Sequence, residues 1–220
     1  MGNEVKGLLS EYLTVAKASE IVLIERKSKF IGRAQPAASA AAAEEFIQEI
    51  SKKHWDAAHN VYAYIVGANA EQQKCYDDGE PSGTSGLPTL EAIKALNLTN
   101  VVVVVTRYFG GILLGRGGLI RAYGSVAAEA LKAAGIVRCV PHQRIKLTVG
   151  YSLMGKIQNE LATSGVPIHD TVYAADVTFM VDIRPEQAEQ IYRAVQDLTA
   201  DQFQWELTGE VYRQVPVEQL

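Results

Sequence analysis

Cysteine is scarce in this chain. Only Cys75 and Cys139 occur in 220 residues, and neither sits at a spacing that suits a zinc ligand set or a disulfide framework. A reduced, cytoplasmic protein without a metal or other cofactor is the expectation. Long apolar runs are missing too. The five valines Val101 to Val105 fall far short of the ~20 residues a spanning helix needs, so no membrane partner is expected. The first residues lack a basic segment followed by an apolar one, which argues against a secretory leader. Lys6 stands where a myristoylation signal beginning at Gly2 calls for Ser or Thr. Positive charge is not in surplus: the formal net charge is −4, which excludes a chain that holds nucleic acid by bulk charge alone.

What is present is ordinary globular material, 48% hydrophobic and 21% charged, distributed unevenly. Residues 1–140 hold 15 basic and 14 acidic side chains, whereas the remainder holds 6 and 11. That contrast suggests two domains with different surfaces, residues 1–137 and 144–220, joined by a linker over 138–143 that contains Pro141.

Hydrophobic periodicity orders the elements. Strands are expected between Tyr12 and Pro36. A helix capped by Ser39 follows, with Ala42, Phe46 and Ile50 on one face, and a loop holds His54, Trp55 and Asp56. His59 to Val66 alternates as a strand. Ala68 to Gly83 is polar and reads as a long exposed loop. A short helix from about Leu87 to Leu96 precedes a strand over Asn100 to Thr106, whose valines read as buried on both faces. A glycine-rich loop, Gly110 to Gly118, leads into a helix from Gly118 to Ala134 with Leu119, Tyr123, Val126 and Ala130 inward. Beyond Arg144 the order is βαββαβ, a ferredoxin-like unit, with Ser152 as a helix cap and Trp205 in the core.

Chemistry concentrates on either side of the valine strand. Downstream, Gly110, Gly111, Gly115, Gly117 and Gly118 lie beside Arg107, Arg116 and Arg121. Exposed amides at a positive helix end, next to guanidinium groups, suit an anion. The same glycines also suit a tight strand-to-helix crossover. Tyr108 and Phe109 beside Arg107 could stack on bases, or one ring could close the core. No Gly-Lys-Ser/Thr follows, so this is not a Walker loop. Upstream, Asp77, Asp78 and Glu80, with His54 and His59, could gather around a divalent ion, but Asp-Gly and Glu-Pro are equally turn formers. Ser82, Thr84 or Ser85 with His59 would be a nucleophile and base. Gly83-Thr84-Ser85-Gly86 misses the Gly-x-Ser-x-Gly elbow, and these hydroxyls also suit helix capping.

DDGEPSGTSG, then VVVVVTRYFGGILLGRGGLIRAYG, together with His54 and HNVYAYIVG from His59, closely resembles the signature of the IMPACT family in its bacterial YigZ/YvyE-type form. The resemblance implies a two-domain α+β fold. The N-terminal domain would be similar to the second domain of ribosomal protein S-five and to domain IV of elongation factor G, and the C-terminal domain to domain V of that factor. Asn60 stands where relatives often carry a second His or a Cys, which weakens a paired-histidine metal site. The resemblance implies that eukaryotic relatives regulate translation, partly through an added N-terminal domain that this chain is expected to lack. The leading expectation is a non-catalytic, translation-related protein that binds RNA or the ribosome through Arg107, Tyr108, Arg116, Arg121 and the loop glycines. An enzyme or binding protein for a phosphorylated small molecule or nucleotide is the alternative, with His59, Asp77, Asp78, Glu80, Ser82 and Thr84 as a second site. A protein-interaction module is the third.

Overall fold

The computed structural model describes residues 10–217. The segment read above for a leader and for myristoylation, Gly2 and Lys6 included, lies outside them. The chain divides into two compact units, one reaching Cys139 and joined again from Gln214, the other running from Val140 to Arg213.

The first unit opens with a short strand, β1 (Tyr12–Val15), which pairs with the first residues of β7 (Ile136–Val149). Its main sheet is antiparallel and holds β2 (Ser19–Glu25), β3 (Ser28–Pro36), β4 (His59–Val66), β5 (Gln72–Tyr76) and β6 (Val101–Tyr108), in the order β2-β3-β6-β4-β5. The valine strand β6 is central. Successive side chains of a strand point to opposite faces, and both faces are covered. Val101, Val103 and Val105 join the core built on α2 (Gly86–Ala95) and α3 (Gly115–Ala133). Val102 and Val104 pack with Phe46 and Ile50 of α1 (Ala40–Lys53). All five valines are fully buried, as the run of β-branched residues implies. Ser39 caps α1 as expected, its Oγ accepting from the Ala42 N–H at 3.2 Å.

Three boundaries differ from the sequence expectation. The polar stretch read as one loop from Ala68 to Gly83 contains β5, an edge strand whose Gln, Lys and Tyr side chains face outward and hide the pattern. Helix α3 starts at Gly115 rather than Gly118; three glycines mimic a loop, but a first turn tolerates them. Residues 138–143, expected as a linker, lie inside β7. Pro141 falls between the ladder with β1, which ends at Cys139, and the ladder with β9 (Val177–Ile183), which begins at Gln143, so its missing N–H costs neither of them.

The second unit follows the ferredoxin-like order. The second half of β7 is followed by a 3-10 turn (Tyr151–Leu153) and α4 (Met154–Thr163). Then come β8 (Ile168–Tyr173), β9 (Val177–Ile183), α5 (Pro185–Thr199) and β10 (Phe203–Pro216). The sheet runs β10-β7-β9-β8, over a core of Leu147, Leu161, Phe179, Val181 and Ile191. Ser152 lies within the 3-10 turn and the helix cap position is Leu153, without a side-chain bond. Trp205 is half-buried against this core and against the Tyr192 ring. The carboxylate of Asp182, on β9, is buried and engages the other three strands: Arg144 bidentately from β7 at 2.9 and 3.1 Å, His169 from β8 at 3.2 Å, and Arg213 from β10. Burial would push this carboxyl up, but the bonds from Arg144 and Arg213 hold it below the ordinary value.

Candidate functional site

The segment from Asp77 to Gly86 is shaped by its own acids. Asp77 accepts the Ser85 hydroxyl at 2.6 Å and the N–H groups of Gly86, Gly83 and Ser85 at 2.8, 2.9 and 3.1 Å. Burial opposes its charge, yet these donors win and hold the carboxyl below its usual range. Asp78 accepts the Asn60 N–H at 2.6 Å, and its carbonyl accepts from His59 Nδ1 at 2.6 Å. Glu80 turns inward, where Oε1 accepts from Arg107 Nη1 at 2.5 Å and from the Tyr123 hydroxyl at 2.8 Å.

The three carboxylates therefore serve three different purposes and do not converge. Among the described residues no group of three or more His, Cys, Asp or Glu side chains is placed to hold a metal ion. Nor is a nucleophile assembled. Thr84 Oγ1 donates to the Pro81 carbonyl at 2.6 Å and Ser85 faces Asp77, while Ser82 is exposed and His59 Nδ1 is directed at Asp78.

Arg107 is not a surface cation. Strand register sets it beside Phe30 and His59 on the inward face of the sheet. It is 5% exposed, ion-paired to Glu80, and its guanidinium lies 5.4 and 5.5 Å from the Phe30 and Phe109 ring centroids. A phosphate cannot reach it without breaking that pair. Tyr108 points to the opposite face and is not a free stacking platform either. Its hydroxyl donates to Asp56 Oδ1 at 3.0 Å and accepts from His54 Nδ1 at 2.9 Å. A guanidinium only donates, so His54 Nε2 accepts from Arg33 Nη2 at 2.7 Å. Burial, then the charges of Arg33 and Lys53, push the His54 pKa down. Arg33 also bonds Glu20 and Thr106, and Thr106 bonds Asn60. His54 and Asn60 are thus structural ties under the sheet.

Arg116 and Arg121 lie at the surface. Both are exposed on the opening turns of α3 and have no ion-pair partner among the described residues. The N-cap position is Leu114, with no side-chain bond, and the first turn carries no acid. The first N–H groups of α3 therefore lack the usual internal competitors for an anion. The glycines divide by role. Gly110 permits contact with the β2–β3 hairpin, since a Cβ there would lie 2.1 Å from the Lys27 carbonyl. Gly111 and Gly115 hold φ of 82° and 72°. Gly117 and Gly118 lie within α3.

The carboxylate segment and the glycine segment meet in one cleft of about 430 Å³. Glu80, Arg107 and His59 supply its polar part; Pro81, Phe109, Leu113 and Leu119 supply apolar walls; Arg116 lines it too. Arg121 lines a separate hollow of about 230 Å³ with Arg26, whose Nη1 donates to the Leu113 carbonyl at 3.4 Å. The sequence reading gives Arg26 no role and Tyr123 only an inward place on its helix. A tyrosine inside an apolar helical stripe was the available signal, because a buried hydroxyl needs a partner.

Comparison with known proteins agrees with the signature read between Asp77 and Tyr123. Residues 26–131 match the Impact N-terminal domain, and residues 147–202 match a domain of unknown function (DUF1949). The chain is 41% identical over 192 residues to the IMPACT family member YvyE of Bacillus subtilis, covering 87% of this chain and 88% of that protein. The chain belongs to the IMPACT family. The family member YigZ of Escherichia coli is 30% identical over 191 residues, covering 85% of this chain and 94% of that one. Likeness to Protein IMPACT of Homo sapiens, 36% over 100 residues, covers 43% of this chain and 31% of the human protein. A crystal structure of a hypothetical protein superposes with a TM-score of 0.61 at 29% identity, covering 92% of this chain and 99% of that one. Among the described residues of this IMPACT-family member, no helix is long and apolar enough to cross a membrane.

Proposed function

We propose that this IMPACT-family protein is a translation-related regulator that binds structured RNA, on the ribosome, through the start of α3. The observation that carries the reading is the state of Arg116 and Arg121: two exposed guanidinium groups without acid partners among the described residues, on a helix start without a side-chain cap or first-turn acid. Arg26 adds a third cation at the Arg121 hollow. Arg116 and Arg121 hold phosphates by fork geometry, and the opening amides of α3 add donors. Arg107 and Tyr108, included in the sequence expectation, are removed from the contact set and become its support. The net charge of −4 does not oppose this, because attraction to phosphate depends on local field.

The alternative of metal-assisted chemistry on a phosphorylated small molecule loses its donors, since Asp77, Asp78 and Glu80 are each bound elsewhere. The test of the RNA reading is cosedimentation with ribosomes at low and high salt. The wild-type protein pellets at low salt and is released as salt rises; Arg116→Glu/Arg121→Glu stays in the supernatant at both. Identical profiles for the two proteins would overturn the reading.

A further inference from the structure

The cleft holds more chemistry than a phosphate contact requires. All the protein hydrogen bonds of the Glu80 carboxylate described above fall on Oε1, so Oε2 keeps its accepting capacity. His59 Nε2 lies 3.7 Å from Oε1. His59 Nδ1 faces a carbonyl and therefore carries the ring hydrogen, so Nε2 of the neutral ring is an acceptor. Two acceptors thus stand side by side. Next to them Arg107, 94% buried by side chain, has an Nε–H without a hydrogen-bond partner among the described residues. Buried donors in folded proteins are seldom left in that state. A volume of about 430 Å³ falls in the ~300–1,000 Å³ range of small-ligand clefts. Phe109 offers an aromatic wall, half exposed and already facing a guanidinium on one side.

We propose that this cleft seats a guanine nucleotide, with the base against Phe109, its Watson–Crick edge toward Glu80 and His59, and its phosphate at Arg116. Among the four RNA bases guanine alone carries two adjacent N–H donors on that edge, N1–H and N2–H, with the O6 acceptor beside them. Two acceptors next to a guanidinium match that order. Adenine and cytosine offer one amino donor beside an acceptor, and uracil sets a single N–H between two carbonyls. Apolar and aromatic walls accept the ring faces. The phosphate contact rests on the reading of Arg116 given above; the base contacts do not. The same chemistry is presented by a free nucleotide and by an unstacked guanosine in an RNA strand.

Titration calorimetry with GMP, AMP, CMP, UMP and inorganic phosphate tests the chemistry. Anisotropy with labelled RNA hexamers, all-uridine or with one central guanosine, tests the source. GMP is expected to fill one site at least tenfold more tightly than the other three nucleotides, and phosphate to bind more weakly still. Phe109→Ala and the milder Phe109→Leu should each weaken GMP at least fivefold with an unchanged melting temperature, and Arg116→Ala should weaken GMP and phosphate alike. Preference for the guanosine hexamer places the ligand in a strand. GMP binding without hexamer or ribosome binding supports the cleft assignment with a free nucleotide and removes the RNA reading. Equal affinity for all four mononucleotides, or no GMP binding, overturns the assignment. Salt-sensitive ribosome binding that persists alongside that result leaves the RNA reading standing alone.

Discussion

Arg107 Nη1 lies 2.5 Å from Glu80 Oε1, and the Tyr123 hydroxyl donates to that same oxygen from 2.8 Å. The three residues come from the end of β6, the segment before α2 and the middle of α3. One buried oxygen therefore fixes the walls of the cleft relative to one another. It also explains why an arginine in a basic-looking motif is unavailable to an outside anion.

Breaking that contact from one side should cost far more than removing it whole. Glu80→Ala leaves a buried guanidinium unpaired, which typically costs about 3–5 kcal/mol. The double substitution Glu80→Leu/Arg107→Met should recover much of that loss. Urea denaturation of the two single variants and the double variant measures the difference; strictly additive losses would refute the coupling.

The exposed arginines should act on binding and not on stability. Arg116→Ala and Arg121→Ala should each leave the melting temperature within a degree or two of wild type, about what surface changes do. Each should reduce the slope of log affinity against log salt for ribosomal RNA by roughly 0.7–1. An unchanged slope in both variants would show that neither arginine meets a phosphate.

His54 sets a pH dependence. Its folded pKa lies below the ordinary value because of burial, then Arg33 and Lys53. The unfolded chain therefore takes up the proton first as pH falls through about 6.5. This contribution is complete above that value and is lost as pH drops through the lower folded pKa. The melting temperature should decline between pH 7 and 5. His54→Gln, whose amide can donate to Tyr108 and accept from Arg33, should flatten the decline; parallel curves for the two proteins would contradict the assignment.

Asp77 should prove to be a structural acid. Asp77→Ala removes the acceptor of three amides and a hydroxyl, a loss of about 2 kcal/mol or more by the usual worth of caps and charged hydrogen bonds. Hydrogen exchange at Gly83, Ser85 and Gly86 should accelerate ahead of the rest of the unit. Because its folded pKa is lowered, its contribution is present above about 4, the unfolded value, and is lost only as pH falls through the folded one. Uniform acceleration across the sheet would assign the loss to global unfolding.

Where the sequence was legible, side-chain period carried the information. Five valines in a row specify a strand with two dry faces, and the alternation in His59 to Val66 divides cleanly between the two cores. Edge strand β5 was not legible, because a strand paired on one side and wet on its face keeps no apolar stripe. Arg121 was readable as a surface cation because it sits on the polar side of the helix after Gly118, whereas Arg116 was read within the glycine-rich loop and lies in the first turn of α3. The fate of Arg107 was not, because an inward arginine is settled by a partner 27 positions away in the chain, and local pattern carries no record of that distance. The roles of the five loop glycines separate only when their neighbours are known: Gly110 answers to Lys27, while Gly115 answers to its own backbone angle.

Asp182 carries a consequence for biosynthesis. Its partner Arg213 lies 31 positions later in the chain, in the last strand among the described residues. Until that strand arrives, Arg144 is the one guanidinium that meets the acid, and β7 waits for β10. The sheet of the first unit draws only on Ser19 to Tyr108, so its strands are complete in the nascent polypeptide long before. Truncation just short of Arg213 should accordingly leave a folded amino-terminal half attached to a protease-sensitive remainder.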